Sequence, residues 1–115
     1  RIALAVPWIA TPDWLRPGTC EAVGKPDAQA QADYDAFNPL THLDHYAHCP
    51  RIVFQNGAED PLVPRDGSLR FRDALRRGHY QDCPERIEAV LHPGLGHELC
   101  DAMWGNTTHL MQEFL

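Results

Sequence analysis

Arg51-Ile52-Val53-Phe54-Gln55-Asn56-Gly57-Ala58-Glu59-Asp60-Pro61-Leu62-Val63-Pro64 is an apolar run that stops abruptly in a turn. Ile52, Val53 and Phe54 do not alternate with polar residues, so the run predicts a strand over 51–55 that is buried on both faces, as in a parallel sheet. Pro61 and Pro64 stiffen the turn that follows, and stiffness suits a carboxylate that has to be held in place. Three acids compete there: Glu59, Asp60 and Asp66. Neighbours on extended backbone point to opposite sides, so only one of Glu59 and Asp60 can face a given partner.

The pattern recurs downstream. Residues 86–92 carry Ile87, Ala89, Val90 and Leu91 and predict another strand, followed by Pro93-Gly94-Leu95-Gly96-His97-Glu98-Leu99. A histidine beside glycines, past a strand and before a helix, sits where the chain bends sharply and a side chain can project into a cleft. Glycine permits positive φ or close backbone approach at such a bend. By itself, this turn also fits an incidental histidine between two elements.

Outward from these stretches, Arg1 to Trp8 is a third continuous apolar run, ended by Pro7. Residues 9–37 lose the pattern among Pro12, Pro17, Gly18, Gly24 and Pro26, with a short helix expected over 28–36 behind Asp27 as N-cap. A short helix is expected within 38–50, with Leu40, Leu43 and Ala47 inward. Asp66-Gly67-Ser68 offers N-cap chemistry for a helix over 69–77. Its buried stripe is Phe71, Ala74 and Leu75, and its wet face is Arg70, Arg72, Asp73, Arg76 and Arg77. A helix is expected over 98–104, broken or kinked at Gly105-Asn106, with Thr107 capping a final turn or two and Leu110, Met111, Phe114 and Leu115 on one face. Strands alternating with helices predict an α/β fold, a parallel sheet with flanking helices, as one domain over 1–115.

The two turns resemble the later part of the α/β-hydrolase superfamily. There a strand ends in a G-x-x-D-x-x-[VI]-P turn that holds the triad acid, and Gly57, Asp60, Val63 and Pro64 match it. A later strand ends in a G-x-G-H turn that holds the triad histidine, and Gly94, Gly96 and His97 match that. Acid before histidine is also the family order. The chain thus resembles the C-terminal half of the fold, of the esterase-like or dienelactone-hydrolase-like kind. Peptidases of the prolyl-oligopeptidase type share the same two motifs. The resemblance implies that His97 is the general acid/base, Asp60 its orienting acid, the substrate a small-molecule ester or acyl compound, and no cofactor. It also makes 9–37 a lid-like excursion, in which Trp8 and Trp14 could line an acyl pocket or simply cover the sheet edge.

One departure from the family is plain. The nucleophile elbow G-x-S-x-G is absent, and the single serine, Ser68, follows the acid turn. The nucleophile and oxyanion-hole donors are therefore expected outside this chain, and the chain alone should hydrolyse little. Cys100 lacks an elbow and does not replace the serine. The first strand should also present an open edge, which a missing N-terminal half or a second copy would complete.

Composition narrows the partners. With 115 residues and a formal charge of -6, the chain is one modest domain and a poor match for nucleic acid or an anionic membrane. No apolar run approaches the ~20 residues that span a bilayer. The start at Arg1 fits a fragment or a processed chain. Cys20, Cys49, Cys83 and Cys100 form no C-x-x-C pair and are expected as free thiols, which fits a cytoplasmic setting. His42, His45 and His48 recur every third residue, but i and i+6 diverge on a helix, so a polar surface is favoured over a metal site. Two other readings compete with the hydrolase: a non-catalytic remnant serving as a binding or interaction module, and a metal-binding domain built on those histidines.

Overall fold

The computed structural model describes residues 2–13, 32, 35–63 and 65–114. Trp14, Cys20, Tyr34, Pro64 and most of the expected 28–36 helix lie outside that set, as does the greater part of the lid-like excursion.

Three parallel strands form one sheet in the order β1 (Leu4–Ala5), β2 (Arg51–Gly57), β3 (Ile87–His92). Every residue of β2 after Arg51 is buried, the apolar run Ile52-Val53-Phe54 and the polar Gln55 and Asn56 alike, as befits a central strand. Of the described helices, α1 (Asp66–Arg77) and α2 (Asp101–Glu113) flank the sheet. The side chains of β2 alternate between them. Ile52 and Phe54 join Phe71 and Leu75 of α1 with Tyr80 and Ile87 in the main core. Gln55 points the other way, donating to the Met103 carbonyl of α2 at 3.1 Å. None of the described helices is long and apolar enough to cross a membrane.

β1 is shorter than its apolar run because Pro7 has no N–H to give. Pairing resumes past it, where Ile9 N donates to Gln55 O at 2.9 Å and Trp8 bridges to Gln55. The segment 38–50 is two 3₁₀ turns, Pro39–Thr41 and Leu43–Tyr46, rather than one helix. Leu40, Leu43 and Tyr46 fall every third residue, which at three residues per turn puts them on one face against the core. Ala47, expected to face inward, is exposed instead.

α1 starts three residues before the expected Leu69, with Asp66, Gly67 and Ser68 in its first turn rather than capping it. The first turn packs closely on the segment after β1, since Gly67 sits where a Cβ would overlap the Thr11 hydroxyl. Arg70 is no wet-face residue. It pairs with Asp66 at 2.6 Å and with Asp13, whose side chain is fully buried and also accepts from Asn38 Nδ2 at 3.2 Å. A buried carboxylate needs such a partner, and a sequence pattern cannot show a pair 57 positions apart.

α2 runs unbroken through Gly105 and Asn106, against expectation. A helical glycine costs about 1 kcal/mol relative to alanine, and the bonds that α2 makes to the sheet outweigh that. Asn106 Nδ2 donates to Gln55 Oε1 at 3.1 Å. Thr107 Oγ1 accepts from Gln55 Nε2 at 3.1 Å and from Trp8 Nε1 at 3.0 Å, and donates to Met103 O at 2.8 Å. The face that docks is therefore Met103, Thr107 and Leu110, while Met111 (54% exposed) and Phe114 (43%) stay in solvent.

Gln55 is the hub of this network and is fully buried. Replacing it with leucine removes its bonds to Met103 O, Thr107 Oγ1, Asn106 Nδ2 and His92 Nε2 from a buried site. The expected loss is about 1–3 kcal/mol, read as a lower urea midpoint at unchanged slope; an unchanged midpoint would show that α2 is held by apolar contacts alone.

Candidate acid–histidine site

β2 and β3 are in register from Ile52↔Ile87 to Gly57↔His92, so their C-terminal ends finish side by side. The turn after each strand therefore emerges at the same sheet edge. Backbone hydrogen bonds lace the two turns together: Ala58 N donates to His92 O at 3.0 Å and Glu59 N to Leu95 O at 2.9 Å. Gly57 makes the close approach possible, because a Cβ there would overlap the carbonyl oxygens of Leu95 and Gly96. Gly94 supplies the left-handed residue, at φ 71°, that turns the chain toward His97.

Asp60 and His97 meet across this seam. The His97 Nδ1 to Asp60 Oδ2 distance is 3.0 Å, with Oδ1 at 3.3 Å. The Asp60 side chain has no exposed surface, whereas that of His97 is 42% exposed. A carboxylate only accepts, so Nδ1 carries the hydrogen and the Nε2 lone pair is left free. The turn itself fixes Asp60. Pro61 has no N–H, and the next two amides, Leu62 N at 2.8 Å and Val63 N at 2.9 Å, both donate to Asp60 Oδ1. Of the rival acids, Glu59 is exposed and Asp66 is paired with Arg70 in α1.

Burial of the Asp60 carboxyl would raise its pKa, but the Val63 and Leu62 amides and the neighbouring His97 more than offset it, holding the group below the usual range. A depressed pKa contributes stability that is fully present above the unfolded value near 3.8 and is lost as pH falls through the lower folded value. Asp60→Asn keeps an acceptor for the two amides but not the charge. Its stability deficit should hold steady above about pH 5 and shrink below about pH 4. Urea unfolding over a pH series reads this; a deficit independent of pH would mean that ionised Asp60 contributes nothing to the fold.

The remaining candidates lie elsewhere. Trp8 spends its indole on α2, edge-on to Trp104 at 4.3 Å with its Nε1–H on Thr107. An apolar cleft of about 630 Å³ lies over Ala5, Pro12, Tyr46, Ile52, Phe54 and Phe71, and neither Trp8 nor the Asp60–His97 pair lines it. A polar hollow of about 380 Å³ lined by Ala58, Glu59, Asp60, Arg65 and Asp66 adjoins the pair. Ser68 is fully buried and donates to Arg65 O at 2.9 Å, which is a helix-start role. Among the described residues, the side chains gathered closely enough for a metal ion are His42, Asp44 and His45, with ligand atoms within 4.8 Å of one another. His48 is not in that group, and Asp44 supplies the carboxylate that the histidine spacing alone did not suggest.

Sequence reasoning missed the packing role of Gly57 and the hub role of Gln55. A polar residue inside an otherwise apolar buried strand was the available signal for Gln55.

No protein-family model and no curated protein matches this chain. Among solved structures, the chain is similar to a Mycobacterium tuberculosis puromycin-hydrolyzing peptidase, with a TM-score of 0.61 at 21% identity. The match covers 84% of this chain and only 15% of that one, and what it shows is a hydrolase-like fold.

Proposed function

We propose that this chain is the acid- and histidine-bearing part of a serine-type α/β-hydrolase acting on carboxylic esters. The observation that carries the reading is the 3.0 Å contact between exposed His97 and buried Asp60. In acyl transfer the histidine takes a proton from the nucleophile and returns it to the leaving group, while the carboxylate fixes the tautomer and stabilises the imidazolium. Asp60, held by two amides, orients His97 through Nδ1, and His97 Nε2 receives and returns the proton. The nucleophile and the oxyanion donors come from outside this chain. The chain is similar in fold to a peptidase, so amide cleavage is the sibling reaction, and it would call on the same acid–base pair of this chain.

In the complete protein, short-chain p-nitrophenyl esters should be turned over faster than matched p-nitroanilides. Anilide preference would move the reading to a peptidase. Failure to cleave either would favour the second reading, a hydrolase-like binding or interaction module, which the absence of G-x-S-x-G in these 115 residues supports.

Among the described residues, β1 is paired only with β2, so its other edge is open. The reading predicts that an N-terminal half pairs there, and that the chain alone self-associates through that edge. Sedimentation at micromolar concentration tests this; a dilute, stable monomer counts against it.

A further inference from the structure

Two thiols meet at the end of the sheet opposite His97. Cys49 stands just before β2 and Cys83 just before the 3₁₀ turn Pro84–Arg86 that leads into β3. Because Ile52 pairs with Ile87, the two leads run side by side. Cys49 adopts φ 50°, and its carbonyl accepts from Arg86 Nε at 2.7 Å. Tyr80, fully buried between the leads, donates its hydroxyl to Pro50 O at 2.7 Å and accepts Cys83 N on its own carbonyl at 3.1 Å. The Cys49 thiol donates to His79 O at 3.2 Å and is a neighbouring group of the Cys83 thiol, and both side chains pack against the core cluster that holds Tyr80. Both cysteines are half-buried against the main core, and both are free thiols here.

We propose that Cys49 and Cys83 are a redox pair that closes to a disulfide by exchange with a small-molecule disulfide of the glutathione class. One cysteine thiolate attacks a sulfur of the small disulfide, breaking its S–S bond and releasing one small thiolate. The second cysteine thiolate attacks the protein-bound sulfur of this mixed disulfide and releases the other. The two cysteines lose two electrons, the small disulfide gains them, and the two thiol protons pass through solvent to the departing thiolates. Burial, the adjoining Cys49 thiol and Glu85 hold the Cys83 thiol above its usual range, with Arg86 pulling the other way, so closure should quicken as pH rises. The bond would join two strand leads that are far apart in sequence without touching Asp60 or His97. It therefore acts on stability, by constraining the unfolded chain, and does not depend on the hydrolase reading.

The test is incubation of the full chain with oxidised and reduced glutathione in varied ratio, followed by intact mass, non-reducing peptide mapping and thermal unfolding. The expected result is a loss of two hydrogens, a cross-linked peptide pair containing Cys49 and Cys83, and a midpoint raised by roughly 5–15 °C. Cys49→Ser and Cys83→Ser should each trap a single glutathione adduct on the surviving partner and show no rise. Two separate adducts in the unaltered chain, or a bridge from Cys49 or Cys83 to Cys20 or Cys100, would overturn the proposal.

Discussion

If the proposed hydrolase reading holds, His97→Ala in the complete protein should lower kcat for an activated ester by about 10⁴- to 10⁶-fold, the range in which a serine hydrolase loses its general base. The expected effect is large because the proposed mechanism uses the histidine twice, as base on the nucleophile and as acid on the leaving group. KM should change little, since His97 sits on the seam between two turns and lines neither the apolar cleft nor the hollow beside Asp60. Asp60→Asn should cost about 10⁴-fold. The asparagine can still satisfy the Leu62 and Val63 amides through its carbonyl oxygen. It can then offer His97 only an N–H, which favours the tautomer with its lone pair on Nδ1 and leaves Nε2 protonated. Steady-state kinetics on both variants, beside far-UV circular dichroism to confirm folding, reads the result. Loss of less than about tenfold in either variant would remove that residue from the chemistry.

Gly57→Ala produces the largest structural effect. The new methyl group points at the carbonyl oxygens of Leu95 and Gly96, which are backbone and cannot swing aside like a side-chain tip. Those atoms can retreat only by stretching the Ala58–His92 and Glu59–Leu95 hydrogen bonds that hold the two turns together. Overpacking of a tight site costs about 1–3 kcal/mol, more where backbone must move. The same retreat carries His97 away from Asp60, so activity should fall together with stability. Gly96→Ala is the matched control, because a Cβ there meets nothing within 4 Å. Its cost should stay under about 1 kcal/mol and its activity near that of the parent. The difference between the two variants, measured by urea unfolding, isolates the contact at Gly57 from any general effect of adding a methyl group. Equal midpoints would mean that the turns are not packed as described.

The parts of this fold legible in sequence are those that a local pattern dictates. β2 carries the apolar run Ile52-Val53-Phe54, as a strand buried on both faces has to, and β3 carries Ala89-Val90-Leu91, although Glu88 parts it from Ile87 and only Ile87 is fully buried. The placement of Asp60 and His97 side by side was legible because each follows a strand in a turn rich in proline or glycine. What escaped is set by partners distant in sequence. Arg70 reads as one more exposed arginine until Asp13 is placed beneath it. Gly105 and Asn106 read as a helix break until Gln55 and Trp8 bind the next turn of α2. Met111 and Phe114 read as core because they are apolar, but the face that docks is chosen by Thr107. The 3₁₀ turns of 39–46 were hidden by a period close to that of an α-helix, which separates from it only over several turns.

The claim at the centre of the hydrolase reading is that His97 activates a serine lying outside these 115 residues. Labelling the native polypeptide with a fluorophosphonate probe, then mapping the modified residue, tests it most directly. The expected outcome is one labelled serine in a G-x-S-x-G elbow upstream of Arg1, with labelling abolished by His97→Ala. No labelled serine, or labelling at Ser68 that persists in His97→Ala, would contradict it.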